Sequence, residues 1–68
     1  MPNIVTRVAV NVKRIRNERG MTQQALADKA KIHRVYIAYI EAATRAPSLE
    51  MLDRLAKALK VAVGDLVE

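Results

Sequence analysis

The stretch that decides the fold is TQQALADKAKIHRVYIAYIEAATRAPS, residues 22–48. Thr22 is a good N-cap for a helix over about residues 23–30, because its hydroxyl can accept a backbone hydrogen bond from the first turn. A second helix over about residues 33–42 follows after only two or three residues. So short a connection forces the two helices to cross steeply, as in a helix-turn-helix unit. The sequence therefore predicts such a unit at about residues 22–42.

Outside this stretch, helix breakers and apolar periodicity predict three more helical segments and no strand. Asn3 can cap a first helix over about residues 4–19, which ends where Gly20 favours a left-handed backbone. Ser48 can cap a fourth helix that runs to about Lys60, and a last turn covers residues 63–67. The positions that recur with helical spacing and are predicted to face the core are Ile4, Val8, Val12, Ile15, Leu26, Ala27, Ala30, Ile37, Ile40, Leu52, Leu55, Ala56 and Leu59. The prediction is an all-α, compact five-helix fold that forms a single domain over residues 1–68.

The composition limits the chain to one small domain that works without cysteine chemistry. A length of 68 residues is enough for one domain only. No cysteine is present, so we expect no disulfide and no thiolate metal site. The N-terminus lacks the pattern of a signal peptide, and no apolar run approaches the ~18 residues that span a bilayer. We therefore expect a cytoplasmic protein with no membrane contact, no metal, no cofactor and no small-molecule ligand.

The residues needed for an enzyme active site are missing. The chain has one histidine, no cysteine and no Gly-rich phosphate loop. We therefore expect a binding protein and no catalysis.

The charge is concentrated in the first two thirds of the chain. Residues 1–45 carry nine basic and three acidic side chains, a net charge of +6, whereas residues 46–68 have a net charge of −1. A concentrated basic region favours a polyanionic partner, because each neutralised phosphate releases condensed counterions. A solvated basic face is the alternative.

The outer face of the predicted helix over residues 33–42 carries unusually little charge. At about 100° per residue, Val35 and Tyr39 point away from Ile37 and Ile40. Both tyrosines of the chain lie on this helix. Such a face suits the major groove, where arginine bonds guanine edges and small apolar side chains meet thymine methyl groups. It suits a protein contact as well, and the angles leave both interpretations open.

Residues 22–48 resemble, without a gap, the Cro/repressor-type (XRE) helix-turn-helix family. KRIRNERGMTQ at residues 13–23 resembles the end of the family's first helix, and LEMLDRLAKALKVAVGDLV at residues 49–67 its fourth and fifth helices. About 60 residues are covered. The run HRVYIAYIE is most similar to the small controller proteins of restriction-modification systems. The resemblance implies a lambda-repressor-like domain that binds double-stranded DNA and regulates transcription.

The resemblance also implies a role for particular residues. It assigns DNA binding to Thr22, Gln23, Arg34, Val35, Tyr36, Tyr39, Thr44 and Arg45. Of these, the three expected to read bases are Arg34, Val35 and Tyr39. Gln23 corresponds to a residue at a helix N-terminus that contacts a DNA phosphate. The positions that correspond to further contacts with the DNA backbone are Tyr36, Thr44 and Arg45. Arg16 and Glu41 correspond to an ion pair between the first helix and the recognition helix.

Three positions depart from the family pattern and affect the predicted docking angle. Lys31 replaces the glycine of the turn, which costs about 1–2 kcal/mol if the residue is left-handed. His33 replaces the usual Ser or Thr cap and is expected to contact phosphate or solvent rather than a metal. Ala43 replaces the glycine after the recognition helix.

We also expect a homodimer, because the chain is short and a monomer has little means to cover Leu66 and Val67. A symmetric pair would place its two recognition helices about 34 Å apart and read a near-palindrome with half-sites about 10 bp apart. An antitoxin or adaptor that uses the same fold for protein binding is the alternative function.

Overall fold

The helices that the sequence predicts are all present in the computed structural model, which describes residues 2–68. In chain order they are α1 (Ile4–Glu18), α2 (Gln23–Ala30), α3 (Arg34–Glu41), α4 (Leu49–Leu59) and α5 (Val63–Val67). Residues 2–68 contain no strand. The prediction of an all-α, five-helix fold is thus confirmed, and each helix lies within about a residue of its predicted bounds. None of these helices has both the length and the apolar character needed to cross a membrane.

Side-chain caps fix where three of the helices begin. Asn3 precedes α1 and its Oδ1 accepts a hydrogen bond from the backbone N–H of Thr6 at 3.0 Å. Thr22 and Ser48 accept equivalent bonds before α2 and α4, at 3.0 and 3.1 Å. Each bond satisfies an N–H that the first turn of a helix leaves without a partner. The helix α5 has no side-chain N-cap bond of this kind, but Asp65 Oδ2 accepts from the backbone N–H of Ala62, the residue before the helix, at 3.0 Å.

The turn between α2 and α3 is built around a left-handed lysine. Lys31 has φ 57° and ψ 45°, the conformation that the missing glycine would have adopted at lower cost. The Ile32 N–H closes the helix end by donating to the Ala27 carbonyl at 3.0 Å. From α4, Arg54 Nη1 donates to the Lys31 carbonyl at 3.2 Å. The turn is therefore tied to α4 although it lacks the usual glycine.

A single hydrophobic core draws on all five helices. Its buried members are Val8, Val12, Ile15, Leu26, Ala27, Ala30, Ile32, Ile37, Ile40, Leu52, Leu55, Ala56, Leu59 and Leu66. Ile4 is the one predicted core position that lies outside it, with 52% of its surface exposed. It occupies the first position of α1, where the chain has not yet reached the body of the domain.

The prediction that Leu66 lacks cover in a monomer is wrong. Leu66 is fully buried, and Val67 is half-buried against the core. The helix α5 packs on α1, where Asn11 Nδ2 donates to the Leu66 carbonyl at 3.0 Å and Arg7 Nε to the Val67 carbonyl at 3.2 Å. These long-range side-chain bonds satisfy carbonyls that so short a helix cannot satisfy itself. The C-terminal residues therefore provide no reason for dimerisation.

Candidate nucleic-acid interface

The outer face of α3 is exposed, while its inner face anchors the helix. Ile37 and Ile40 are fully buried between α1 and α2. The side chains of Val35, Tyr36 and Tyr39 remain 38%, 37% and 46% exposed. The isoleucines of α3 are thus buried in the core, whereas its other large apolar side chains are exposed. Such an exposed apolar surface is suited to contact with another molecule.

The N-terminus of α3 is capped by His33, which the sequence predicts to be a poor cap. Its Nδ1 accepts a hydrogen bond from the backbone N–H of Val35 at 3.2 Å. His33 is exposed and extended, with φ −63° and ψ 137°. Because Ser and Thr are stronger caps, the first turn of α3 is held less firmly than that of α2. Arg34, the first residue of α3, is exposed beside this cap.

The loop after α3 folds back onto the helix. The Thr44 hydroxyl and the Thr44 backbone N–H both donate to the Tyr39 carbonyl, each at 3.1 Å. The guanidinium of Arg45 lies over the Tyr36 ring, 5.2 Å from its centre, which is a cation–π contact. Ala43 makes this return possible by adopting a left-handed backbone, with φ 59°. Tyr36 and Arg45 thus form one unit on the exposed side of the domain.

The C-terminal end of α3 is fastened to α1 by an ion pair between Arg16 and Glu41. Arg16 Nε and Nη2 donate to the two carboxylate oxygens of Glu41 at 2.7 and 2.9 Å. The two side chains are only 10% and 4% exposed. The small contribution to stability that is typical of a solvent-exposed ion pair therefore does not apply to this one. The hydrogen bond to Glu41 is the main reason why the pKa of Arg16 lies above its ordinary value. The negative charge of Glu41 adds to this effect, whereas burial opposes it.

The N-terminus of α2 is joined to the same network. Gln23 is half-buried, and its Nε2 donates to Glu41 Oε1 at 3.2 Å. Arg16 Nη1 donates to the Met21 carbonyl at 2.7 Å, just before the Thr22 cap. One buried carboxylate therefore connects α1, α2 and α3. This network positions the start of α2 relative to the exposed face of α3.

The predicted DNA-binding residues fall into three places. The first is the α2 N-terminus, with Thr22 and Gln23. The second is the α3 surface, with Arg34, Val35, Tyr36 and Tyr39. The third is the returning loop, with Thr44 and Arg45. The loop contacts the α3 surface directly, whereas the α2 N-terminus reaches α3 through the amide of Gln23. A phosphate contact by Gln23 would use its remaining amide N–H or its backbone N–H, since one amide proton is already bound.

Several polar side chains that connect the helices were not predicted from the sequence. Arg19 Nε donates to the Leu59 carbonyl at 3.1 Å and ties the end of α1 to the end of α4. Arg7, Asn11 and Arg54 make similar bonds to carbonyls far along the chain. Their acceptors are backbone groups, which every residue carries, so no residue type in the sequence marks the partner. Among residues 2–68 there is no cluster of acidic, His or Cys side chains that could hold a metal.

The geometry defines a class of protein: a small helical domain in which a short turn joins two helices, the second of which keeps its outer face free. A comparison with protein-family models matches residues 12–66 to the helix-turn-helix model HTH_3. The chain belongs to this helix-turn-helix family, the XRE-type DNA-binding transcription regulators. Members of this family are regulators and not enzymes.

Individual relatives agree with this assignment. The chain is 43% identical over 60 residues to the immunity repressor protein of Bacillus phage phi105, and the match covers 88% of the chain but only 42% of that repressor. It is 40% identical over 58 residues to control protein C.BamHI of Bacillus amyloliquefaciens, covering 84% and 72% of the two chains. Among solved structures, the restriction-modification controller protein C.AhdI from Aeromonas hydrophila superposes with a TM-score of 0.88 and 26% identity, covering 91% and 94%. The predicted resemblance to controller proteins is thus confirmed.

Proposed function

We propose that the chain is a sequence-specific transcriptional regulator that binds duplex DNA in the cytoplasm as a homodimer on a near-palindromic operator. In this proposal, α3 enters the major groove and reads bases through Arg34, Val35 and Tyr39. The DNA backbone on one side of the groove is contacted by Tyr36, Thr44 and Arg45. The DNA backbone on the other side is contacted by Thr22 and Gln23.

The observation that carries the proposal is the division of α3 into a buried and an exposed face. The buried isoleucines and the Glu41 ion pair fix the helix on the scaffold. Arg34 can then donate two parallel hydrogen bonds to a guanine edge, and Val35 can contact a thymine methyl group. Such contacts discriminate between bases best when the helix is held in place, and the hydrogen bonds of Glu41 tie α3 to α1 and α2.

The backbone contacts follow from the loop geometry. Arg45 is stacked on Tyr36, so its guanidinium loses less conformational freedom when it meets a phosphate. The N-terminus of α2 adds the partial positive charge of a helix end to the amide of Gln23. Both contacts are made to the DNA backbone and do not depend on the base sequence. They would set the position of α3 along the groove.

Selection of bound sequences from a random duplex pool tests the proposal most fully. We expect a near-palindrome with half-sites about 10 bp apart, because a two-fold dimer presents its recognition helices about one DNA turn apart. Selection of a single, asymmetric half-site would contradict the dimer, and no enrichment would contradict sequence-specific binding.

An antitoxin or adaptor function is the second candidate, and the exposed Val35, Tyr36 and Tyr39 favour it. The two functions respond differently to salt. Binding to DNA weakens steeply as salt rises, because counterions are released on binding. Contact between an apolar α3 face and a protein barely changes with salt, or strengthens. A titration of the bound partner against salt concentration therefore separates them.

A further inference from the structure

A basic recess lies between the C-terminal end of α2 and the helix α4. It has a volume of about 370 Å³. Four of the residues that line it are basic and two are small, and they are Lys29, Ala30, Lys31, Arg54, Lys57 and Ala58. None of them belongs to the predicted set of DNA-binding residues. The recess is therefore a concentration of positive charge apart from the exposed face of α3.

The two lysines at the end of α2 supply positive charge that the fold does not neutralise. Arg54 and Lys57 are each paired with a carboxylate one turn earlier in α4, at 3.1 and 3.0 Å. Among residues 2–68, no carboxylate lies within ion-pair distance of Lys29 or Lys31. The carbonyl end of a helix carries a partial charge of only about half an elementary charge, so the end of α2 does not offset two lysines. The recess thus keeps a surplus of positive charge.

The floor of the recess is apolar. Ala30 is 4% exposed, and Ala58 is half-buried against the core. Because each side chain is a single methyl group, space remains above the floor that longer side chains would have filled. The methylene stems of the surrounding lysines add apolar walls. An apolar floor inside a basic rim fits an aliphatic side chain with acidic neighbours.

The position of the recess leaves it free in the proposed DNA complex, an argument that rests on the proposed function. The helix α2 packs against both α3 and α4, whereas α3 and α4 have little contact with each other. The recess and the exposed face of α3 therefore lie on different sides of α2. A second molecule could occupy the recess while α3 lies in the major groove.

The mixture of charges around the recess favours a protein segment over a second nucleic acid. A DNA duplex carries one negative charge per about 1.7 Å of its axis. Glu50 and Asp53, whose side chains are 75% and 54% exposed beside the basic residues, would repel such a continuous row of phosphates. A peptide can place its carboxylates on Lys29 and Lys31 alone. We propose that the recess is a docking site for an acidic segment of another protein, with an aliphatic side chain of that segment on the alanine floor.

Selection from a library of random peptides displayed on phage, with the free chain as the target, tests this docking site without DNA. We expect the enriched peptides to carry carboxylates around an aliphatic residue. Fluorescence polarisation of a labelled enriched peptide then measures its Kd for the wild type and for variants of the chain. Lys29→Glu replaces an attraction by a repulsion and should raise this Kd about 5-fold. Ala58→Leu fills the floor without a change in charge and should raise it as well.

The chain offers a matched control for the charge reversal. Lys13 is exposed on α1 and does not line the recess, so Lys13→Glu changes the net charge equally and should leave the Kd of the peptide nearly unchanged. Circular dichroism establishes that each variant keeps the helix content and the cooperative unfolding of the wild type.

The outcomes separate the docking site from the proposed function. Weaker peptide binding in Lys29→Glu and Ala58→Leu, with binding retained in Lys13→Glu, supports the docking site even if the chain selects no operator. Acidic peptides that bind all three variants as tightly as the wild type overturn it, and so does a library from which no acidic peptide is enriched. Random-sequence duplex DNA provides the last comparison. If Lys29→Glu weakens its binding and Lys13→Glu does not, the recess is a nucleic-acid contact and the protein docking site is overturned.

Discussion

Arg16→Met removes the positive partner of a buried carboxylate while keeping most of the apolar stem of the side chain. In the wild type, Glu41 is 4% exposed and receives two guanidinium hydrogen bonds, at 2.7 and 2.9 Å. The variant leaves Glu41 with the Gln23 amide alone, at 3.2 Å, and deprives the Met21 carbonyl of its bond from Arg16. Breaking one side of a buried ion pair costs about 3–5 kcal/mol, because the remaining charge stays buried without compensation.

A loss of this size is large for so small a domain. At the usual stability per residue, a chain of this length unfolds with a free energy of about 3–10 kcal/mol. Each kcal/mol corresponds to about 4–8 °C in melting temperature for a domain of this size. We therefore expect Arg16→Met to melt at least about 12 °C below the wild type, or to be unfolded at room temperature. Thermal and urea unfolding followed by far-ultraviolet circular dichroism measure the difference.

The chain contains a matched control on the same helix. Arg14 also pairs with a glutamate, Glu18, but at 3.3 Å and with both side chains about half exposed. Arg14→Met should therefore cost no more than about 0.5 kcal/mol. The double variant Arg16→Met/Glu41→Met should recover most of the loss, because no buried charge remains. If Arg16→Met and Arg14→Met cost the same, the buried network does not anchor α3.

The effect of pH on this pair follows from the raised pKa of Arg16. A group whose pKa is higher in the folded state contributes stability below its unfolded pKa and loses it only as pH rises through the folded value. The stability difference between the wild type and Arg16→Met should therefore stay constant from about pH 7 to about pH 10. A difference that vanishes within this range would contradict the assignment.

Three further predictions concern the turn and the exposed face of α3. Lys31→Gly relieves a left-handed lysine and should stabilise the fold by up to about 1 kcal/mol in urea unfolding; a less stable variant would mean that the lysine makes a favourable contact which outweighs its strain. His33→Ser provides a stronger cap for α3 and should raise stability by about 0.5–1 kcal/mol, and a lower melting temperature would refute this. Arg34→Ala should weaken binding to a selected operator by about 1–3 kcal/mol while affecting random DNA much less; an equal loss on both would make Arg34 a backbone contact.

Much of the fold could be predicted from the sequence because its local signals agree with one another. Asn3, Thr22 and Ser48 are predicted caps, and all three accept the expected hydrogen bonds. Lys31, which stands at the position of the family's turn glycine, is left-handed as that glycine would be. These features depend on a few neighbouring residues, so pattern and propensity are enough to find them.

The errors arise where the outcome depends on distant parts of the chain. Leu66 is buried because α5 lies against α1, which a pattern of five residues cannot indicate. Ile4 has helical spacing with Val8 and Val12, yet it is 52% exposed at the first position of α1. The hydrogen bond from the Gln23 amide to Glu41 is another long-range contact that the local pattern does not indicate, and the phosphate contact of Gln23 stays a prediction. Helical periodicity predicts which residues share a face, but not what that face meets.

The claim that α3 binds DNA through its exposed face is tested most directly by titrating the isotope-labelled chain with a selected operator duplex. Nuclear magnetic resonance then reports the change in chemical shift at each residue. If α3 enters the groove, the largest changes will occur at residues 33–39, with smaller ones at residues 22–23 and 44–45. Changes centred instead on the basic surface around Lys29, Arg54 and Lys57, with α3 unaffected, would contradict the proposed mode of binding.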